Sequence, residues 1–105
     1  MRKENSIMVV QGDILEVYFA LENISVDTID KVFFTCEKKG LQIECVYDAQ
    51  AGEFALSLSS ADTSDLLIGA DGYDLTALLK DGNYFTLVYD GAFSVLEKKN
   101  KVSGV

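Results

Sequence analysis

The chain has 105 residues, is 49% hydrophobic, and carries a formal net charge of −8. That length suits one domain, and the apolar content excludes a disordered chain. No uncharged stretch approaches the about 20 apolar residues that a membrane-spanning helix needs, so no membrane contact is expected. From Gly40 to Glu97 inclusive, Lys80 is the single basic residue, against ten acidic ones. With no basic stripe to neutralise phosphates, this balance argues against nucleic acid as a partner. His is absent. Its absence removes the commonest general base and transition-metal ligand, and with them the Ser-His and Cys-His nucleophile pairs.

The first residues, MRKENSIMVVQGD, start basic but lack an apolar core followed by a small-residue cleavage site. No secretory signal is expected. Beyond them a period of two dominates. Residues 6–11 read as a first strand, closed by Gly12 and Asp13. Residues 14–22 alternate, with Leu15, Val17, Phe19 and Leu21 on one face and Glu16, Tyr18, Ala20 and Glu22 on the other. That is a half-buried strand. Residues 23–30 are polar and read as a connection, anchored by Ile24, Val26 and Ile29. Residues 31–38 and 41–48 predict a hairpin around Lys39 and Gly40. Cys36 and Cys45 flank its turn, and a loop centred on Gly40 and Leu41 would set them opposite each other. With no secretion signal, two reduced, buried thiols are the expectation, with a cross-strand disulfide as the alternative. Residues 53–59 form a further strand, with Phe54, Leu56 and Leu58 in phase.

Residues 59–69 break the pattern. Ser60 or Asp62 can cap a helical turn, with Asp65 near its start and Gly69 at its end. Leu66, Leu67 and Ile68 are expected in the core. The last third, GYDLTALLKDGNYFTLVYDGAFSVLEK, carries two Asp-Gly pairs between apolar runs, a strong hairpin signal. It predicts three strands, at 72–80, 83–89 and 92–98. With two-residue turns, Leu75 faces Val88 and Val88 faces Phe93, which gives one apolar layer. Phe85, Leu87 and Tyr89 then fall on the opposite face. Either a bulge shifts the register there, or that face is a protein–protein contact. Seven or eight short strands with Gly-containing turns describe an all-β fold, an antiparallel β-sandwich with one short helical turn. A small closed barrel is the alternative. The domain is expected over residues 1–98, with a polar tail at 99–105.

No catalytic, cofactor-binding or metal-binding residues are assigned. Two Cys without His do not make a zinc site. Asp62, Asp65, Asp71 and Asp74 lie near one another in sequence, but their spacing fits no EF-hand loop. Capping and turn formation account for them. Lys80-Asp81-Gly82-Asn83 is a turn and not a phosphate loop, since no helix comes after it. The candidate site is therefore the contact surface at Phe85, Leu87 and Tyr89.

Several fragments keep one order along the chain. They are VQGD at 10–13, ILEVYFAL at 14–21, LSLSSADTSDL at 56–66, GYDLTA at 72–77, DG at 81–82 and TLVYDGAFSV at 86–95. Together they resemble the small immunoglobulin-like β-sandwich domains of tailed phages and prophages, best known as the N-terminal domains of upper baseplate proteins. The resemblance implies an immunoglobulin-like sandwich without enzymatic residues. It implies a structural role in a tail or baseplate, with other tail or virion proteins as partners and self-association in symmetric rings. It places the protein in the virion, or in the host cytoplasm during assembly. A second reading is a β-sandwich binding module of a bacterial envelope or adhesion protein, which a signal peptide would favour.

Overall fold

Alternating side chains can bury one face of a strand only if neighbouring strands bring their own apolar faces to the same side. The computed structural model of the protein describes residues 6–99. The expected tail falls outside these residues apart from Lys99. Seven strands form: β1 (Ser6–Val10), β2 (Leu15–Ala20), β3 (Ile29–Cys36), β4 (Leu41–Asp48), β5 (Glu53–Leu58), β6 (Gly69–Leu79) and β7 (Tyr84–Leu96). One short helix, α1 (Ser60–Ser64), lies between β5 and β6. The fold is all-β, with the strand number expected from the alternating segments.

The strands lie in the order β1-β7-β6-β3-β4-β5-β2, curling into a nearly closed barrel. β4 serves two neighbours. Residues from Leu41 to Cys45 pair with β3, and those from Val46 to Asp48 pair with β5. Most pairs are antiparallel, but β1 runs parallel to β7, from Ser6 beside Ala92 to Val10 beside Leu96. The all-antiparallel expectation is corrected to a mixed sheet. β1 is not paired with β2, which comes next in the chain, and takes the edge of β7 instead.

The core centres on Phe34, Tyr73 and Phe93. Phe34 and Tyr73 lie 4.9 Å apart between ring centroids, and Phe34 meets Phe93 edge-on at 5.5 Å. Val32, Cys36, Leu56, Leu75, Ala77 and Val95 complete the fully buried apolar set. Edge-to-face contacts of this kind add about 0.5–1.5 kcal/mol beyond area burial.

The last third departs from the expected three strands. Asp81-Gly82 does turn the chain, with the Asp81 carboxylate accepting from the Asn83 N–H at 2.9 Å. Asp90-Gly91 does not, and lies inside the continuous strand β7. The two sites differ in the course of the chain beyond them. After Asp81-Gly82 the chain returns along β6, whereas beyond Gly91 β7 continues along the same partner, out to Val95 beside Gly69.

Ser59 caps α1, not Ser60 or Asp62. Its hydroxyl accepts from the Asp62 N–H at 3.1 Å, and the Asp62 carboxylate accepts from the Ser59 N–H at 2.8 Å. These bonds satisfy two amides at the helix start and hold the Asp62 carboxyl below its usual range. Thr63 is fully buried; its hydroxyl donates to the Asp13 carbonyl at 2.7 Å and accepts from the Gly12 N–H at 3.0 Å. The Gln11 amide donates to the Leu66 carbonyl at 2.9 Å. The helix is thereby pinned to the β1–β2 turn. It ends at Ser64, so only Leu66 turns into the core; Leu67 and Ile68 are exposed, contrary to expectation.

Lys39 closes the other end of this segment. Its side chain is wholly buried, pairs with Asp71 at 2.8 Å and donates to the Leu67 carbonyl at 2.7 Å. Removing one member of a buried pair leaves the other charge uncompensated, whereas replacing both by apolar groups does not. Lys39→Met should cost about 2 kcal/mol in denaturant unfolding, and Lys39→Met with Asp71→Leu should recover most of it.

Candidate functional site

The site grows from two irregularities in β7. Leu75 faces Val88 while Thr76 faces Thr86, so Leu87 is an extra residue on β7. Tyr73 faces Gly91, so Tyr89 and Asp90 together oppose the single residue Asp74. Each is a β-bulge, which bends the strand and re-aims its side chains. Asp90 takes up the second in a left-handed conformation, with φ 55°. Its N–H, displaced from the regular ladder, donates to the Asp74 carboxylate at 2.9 Å. The Asp90 carboxylate lies against Gly72, where any Cβ would land on its Oδ1. A side chain at Gly72 would displace the Asp90 carboxylate from this position.

The first bulge decides the fate of the sequence-predicted residues. Phe85 faces Ala77, which is fully buried, so Phe85 turns toward the core. Phe85 and Leu87 are half-buried and pack on the core cluster. Tyr89 remains 81% exposed. The three do not share one solvent face: Leu79 meets Asn83, so the loop holds three residues, Lys80 to Gly82, and not the expected two, and the bulge at Leu87 takes up that one-residue shift. Tyr84, expected in the apolar layer, is likewise turned out to solvent.

Tyr89 borders a groove of about 300 Å³ lined by Thr35, Glu37, Gly72, Asp74 and Asp90. Three carboxylates and an exposed phenol ring suit a cationic side chain, held by charge and by the ring face. Among the described residues no group of three or more His, Cys, Asp or Glu is placed to hold a metal ion. The acidic residues that cluster in sequence disperse in space. Asp62 belongs to the helix cap, Asp71 to Lys39, and Asp74 to the bulge.

Cys36 and Cys45 are both buried and free. They do not face each other: Cys36 pairs with Leu41 and Cys45 with Val32. A tight turn at Glu37–Lys39, ending in Gly40 at φ 70°, centres the loop between Lys38 and Lys39, two residues earlier than a Gly40-Leu41 centre would. Burial pushes the Cys36 thiol up, and burial, with a smaller part from Glu44, pushes Cys45 up to about 12.

Sequence reasoning missed the buried Lys39 and the groove. A Lys between Lys38 and Gly40 in a turn carries no sign of burial, and the groove exists only because of the second bulge. Among the described residues no helix is long and apolar enough to cross a membrane. Compared with protein-family models, with curated proteins and with solved structures, the chain finds no match.

Two measurements check this geometry. Leu87→Asp should destabilise the fold by about 2 kcal/mol or more, while Tyr89→Asp should stay within about 0.5 kcal/mol. At about pH 8, neither thiol of the native protein should react with a disulfide reagent over minutes, and both should react once it is denatured.

Proposed function

We propose that this protein is a non-enzymatic structural component of a phage or prophage particle, associated with the tail or baseplate and acting through protein–protein contacts. The observation that carries the reading is the strand arrangement. β2 lies beside β5, and β7, β6 and β3 lie side by side, with the first strand laid on the last. An immunoglobulin-type sandwich groups its strands in this way, B with E and C with F and G. We read the nearly closed barrel as such a sandwich, with β4 as the strand that passes between its two layers. That architecture serves many functions, so it does not select one alone. The ordered fragments from Val10 to Val95 supply the selection, since they match the pattern of the phage domains.

The contact surface in this reading is Tyr89 with the acidic groove beside it. Tyrosine is enriched where proteins meet, because it offers a large rigid ring with a polar tip. An acidic groove fits a basic side chain of another virion protein. The test is to induce prophages in the source cells, band the released particles by density and analyse them by mass spectrometry. The protein should band with the tail proteins. Its presence in the cell or envelope fraction with none in the particles would sink the reading.

A further inference from the structure

Apolar rows turn inward along one side of the barrel and stay only half-covered. On β2, Val17 and Phe19 are half-buried, while their partners on β5, Leu56 and Phe54, are buried. On β7, Phe85 and Leu87 are half-buried, while Phe93 and Val95 further along are fully buried. The contrast tracks the neighbouring strands. β1 covers β7 only from Ala92 to Leu96, so from Tyr84 to Gly91 its outer edge has no strand beside it among the described residues. β2 ends the strand order, and its outer edge is open in the same sense. Two open edges therefore border one gap in the barrel, with apolar side chains along its floor.

Unpaired N–H and C=O groups on an edge are a template for one more strand. Protected edges carry Pro, Lys or inward charges. β2, with the sequence LEVYFA, has none of these. Charge then selects the occupant. β2, β4 and β5 carry Glu16, Glu44, Asp48 and Glu53 and no Lys or Arg. β6 and β7 add Asp74 and Asp90 and no basic residue of their own, the Asp71 carboxylate being paired with Lys39. Glu16 above all, then desolvation, Asp48 and Glu53, holds the outward-facing Tyr18 phenol above its ordinary 10.0. A second copy pairing β2 with β2 would bring like charges together. Residues 1–5, MRKEN, lie outside the described residues and contain a single apolar side chain, Met1.

We propose that the gap between β2 and the Tyr84–Gly91 half of β7 receives one extended strand from another protein, with apolar residues pointing in and Lys or Arg pointing out. The inference concerns a different surface from the Tyr89 groove and does not depend on the tail assignment.

The test uses the full chain and three short synthetic peptides, read by amide hydrogen exchange. One alternates Val with Lys, one has the same composition with its valines in a single block, and one alternates Val with Glu. The Val/Lys peptide should slow exchange about tenfold or more along Leu15–Ala20 and from Tyr84 to Asp90, and less so at high salt. The other two peptides should not. Val17→Lys, which puts a charge on the floor of the gap, should abolish the protection. If that variant does not fold, Glu16→Lys with Glu53→Lys, both on the outer face, should weaken the protection at least about threefold. Equal protection by all three peptides, or by none, overturns the proposal. So does protection that rises with protein concentration alone, which would make the occupant a second copy. Protection without peptide that is lost on deleting residues 1–5 would make it the chain's own start, and overturns the proposal equally.

Discussion

The register of β7 against β6 is the constraint on which the rest depends. β7 is 13 residues long and β6 is 11, and the pair must keep Leu75, Ala77, Phe93 and Val95 all inward. In an unbroken ladder one slipped residue would reverse every side chain beyond it. Two bulges absorb the mismatch, one at Leu87 and one at Tyr89 and Asp90. With the register restored, Phe93 meets Phe34 edge-on and β1 finds a regular edge from Ala92 onward. The same adjustment turns Tyr89 outward and lays Asp90 against Gly72. Core, edge and groove are thus set by one pair of insertions.

Around that ladder, polar groups hold what apolar packing could not. Thr63, Gln11 and the Ser59–Asp62 pair tie the short helix to the turn between β1 and β2. Lys39 reaches from the β3–β4 turn to Asp71 and the Leu67 carbonyl. Among the described residues no buried side-chain nitrogen or oxygen lacks a partner. Segments with little apolar surface of their own are held by directed bonds, each worth about 1 kcal/mol and more where a charge is involved.

Much of the fold was legible because alternation is a local property. Val17 and Phe19, Phe34 and Cys36, Leu56 and Leu58 fall on the expected faces, and Asp81-Gly82 turns the chain as its chemistry requires. What failed to show is non-local. Asp-Gly at 90–91 has the same composition as Asp-Gly at 81–82, and only the continuing partner strand makes one a bulge and the other a turn. A bulge is one of the two readings that the alternation allows near Leu87, but nothing local chooses between them, so Phe85, Leu87 and Tyr89 can equally read as one face when only Tyr89 is fully presented to solvent. The parallel β1–β7 pair is hidden for a similar reason, since no local pattern records which edge a strand will find. Leu67 and Ile68 look like core by type and are exposed because the helix ends before they could turn inward.

The pairing of β1 with β7 ties the two ends of the described chain, Ser6 to Ala92 and Val10 to Leu96. Contacts this far apart in sequence slow folding, because the closure entropy is lost before the contacts can offset it. For a chain made from its N-terminus onward, the consequence is one of timing. β1 is synthesised first and has no partner until nearly all the rest has emerged, so its apolar Ile7 and Val9 wait uncovered through most of translation. The native sheet can be completed only when the ribosome has released β7.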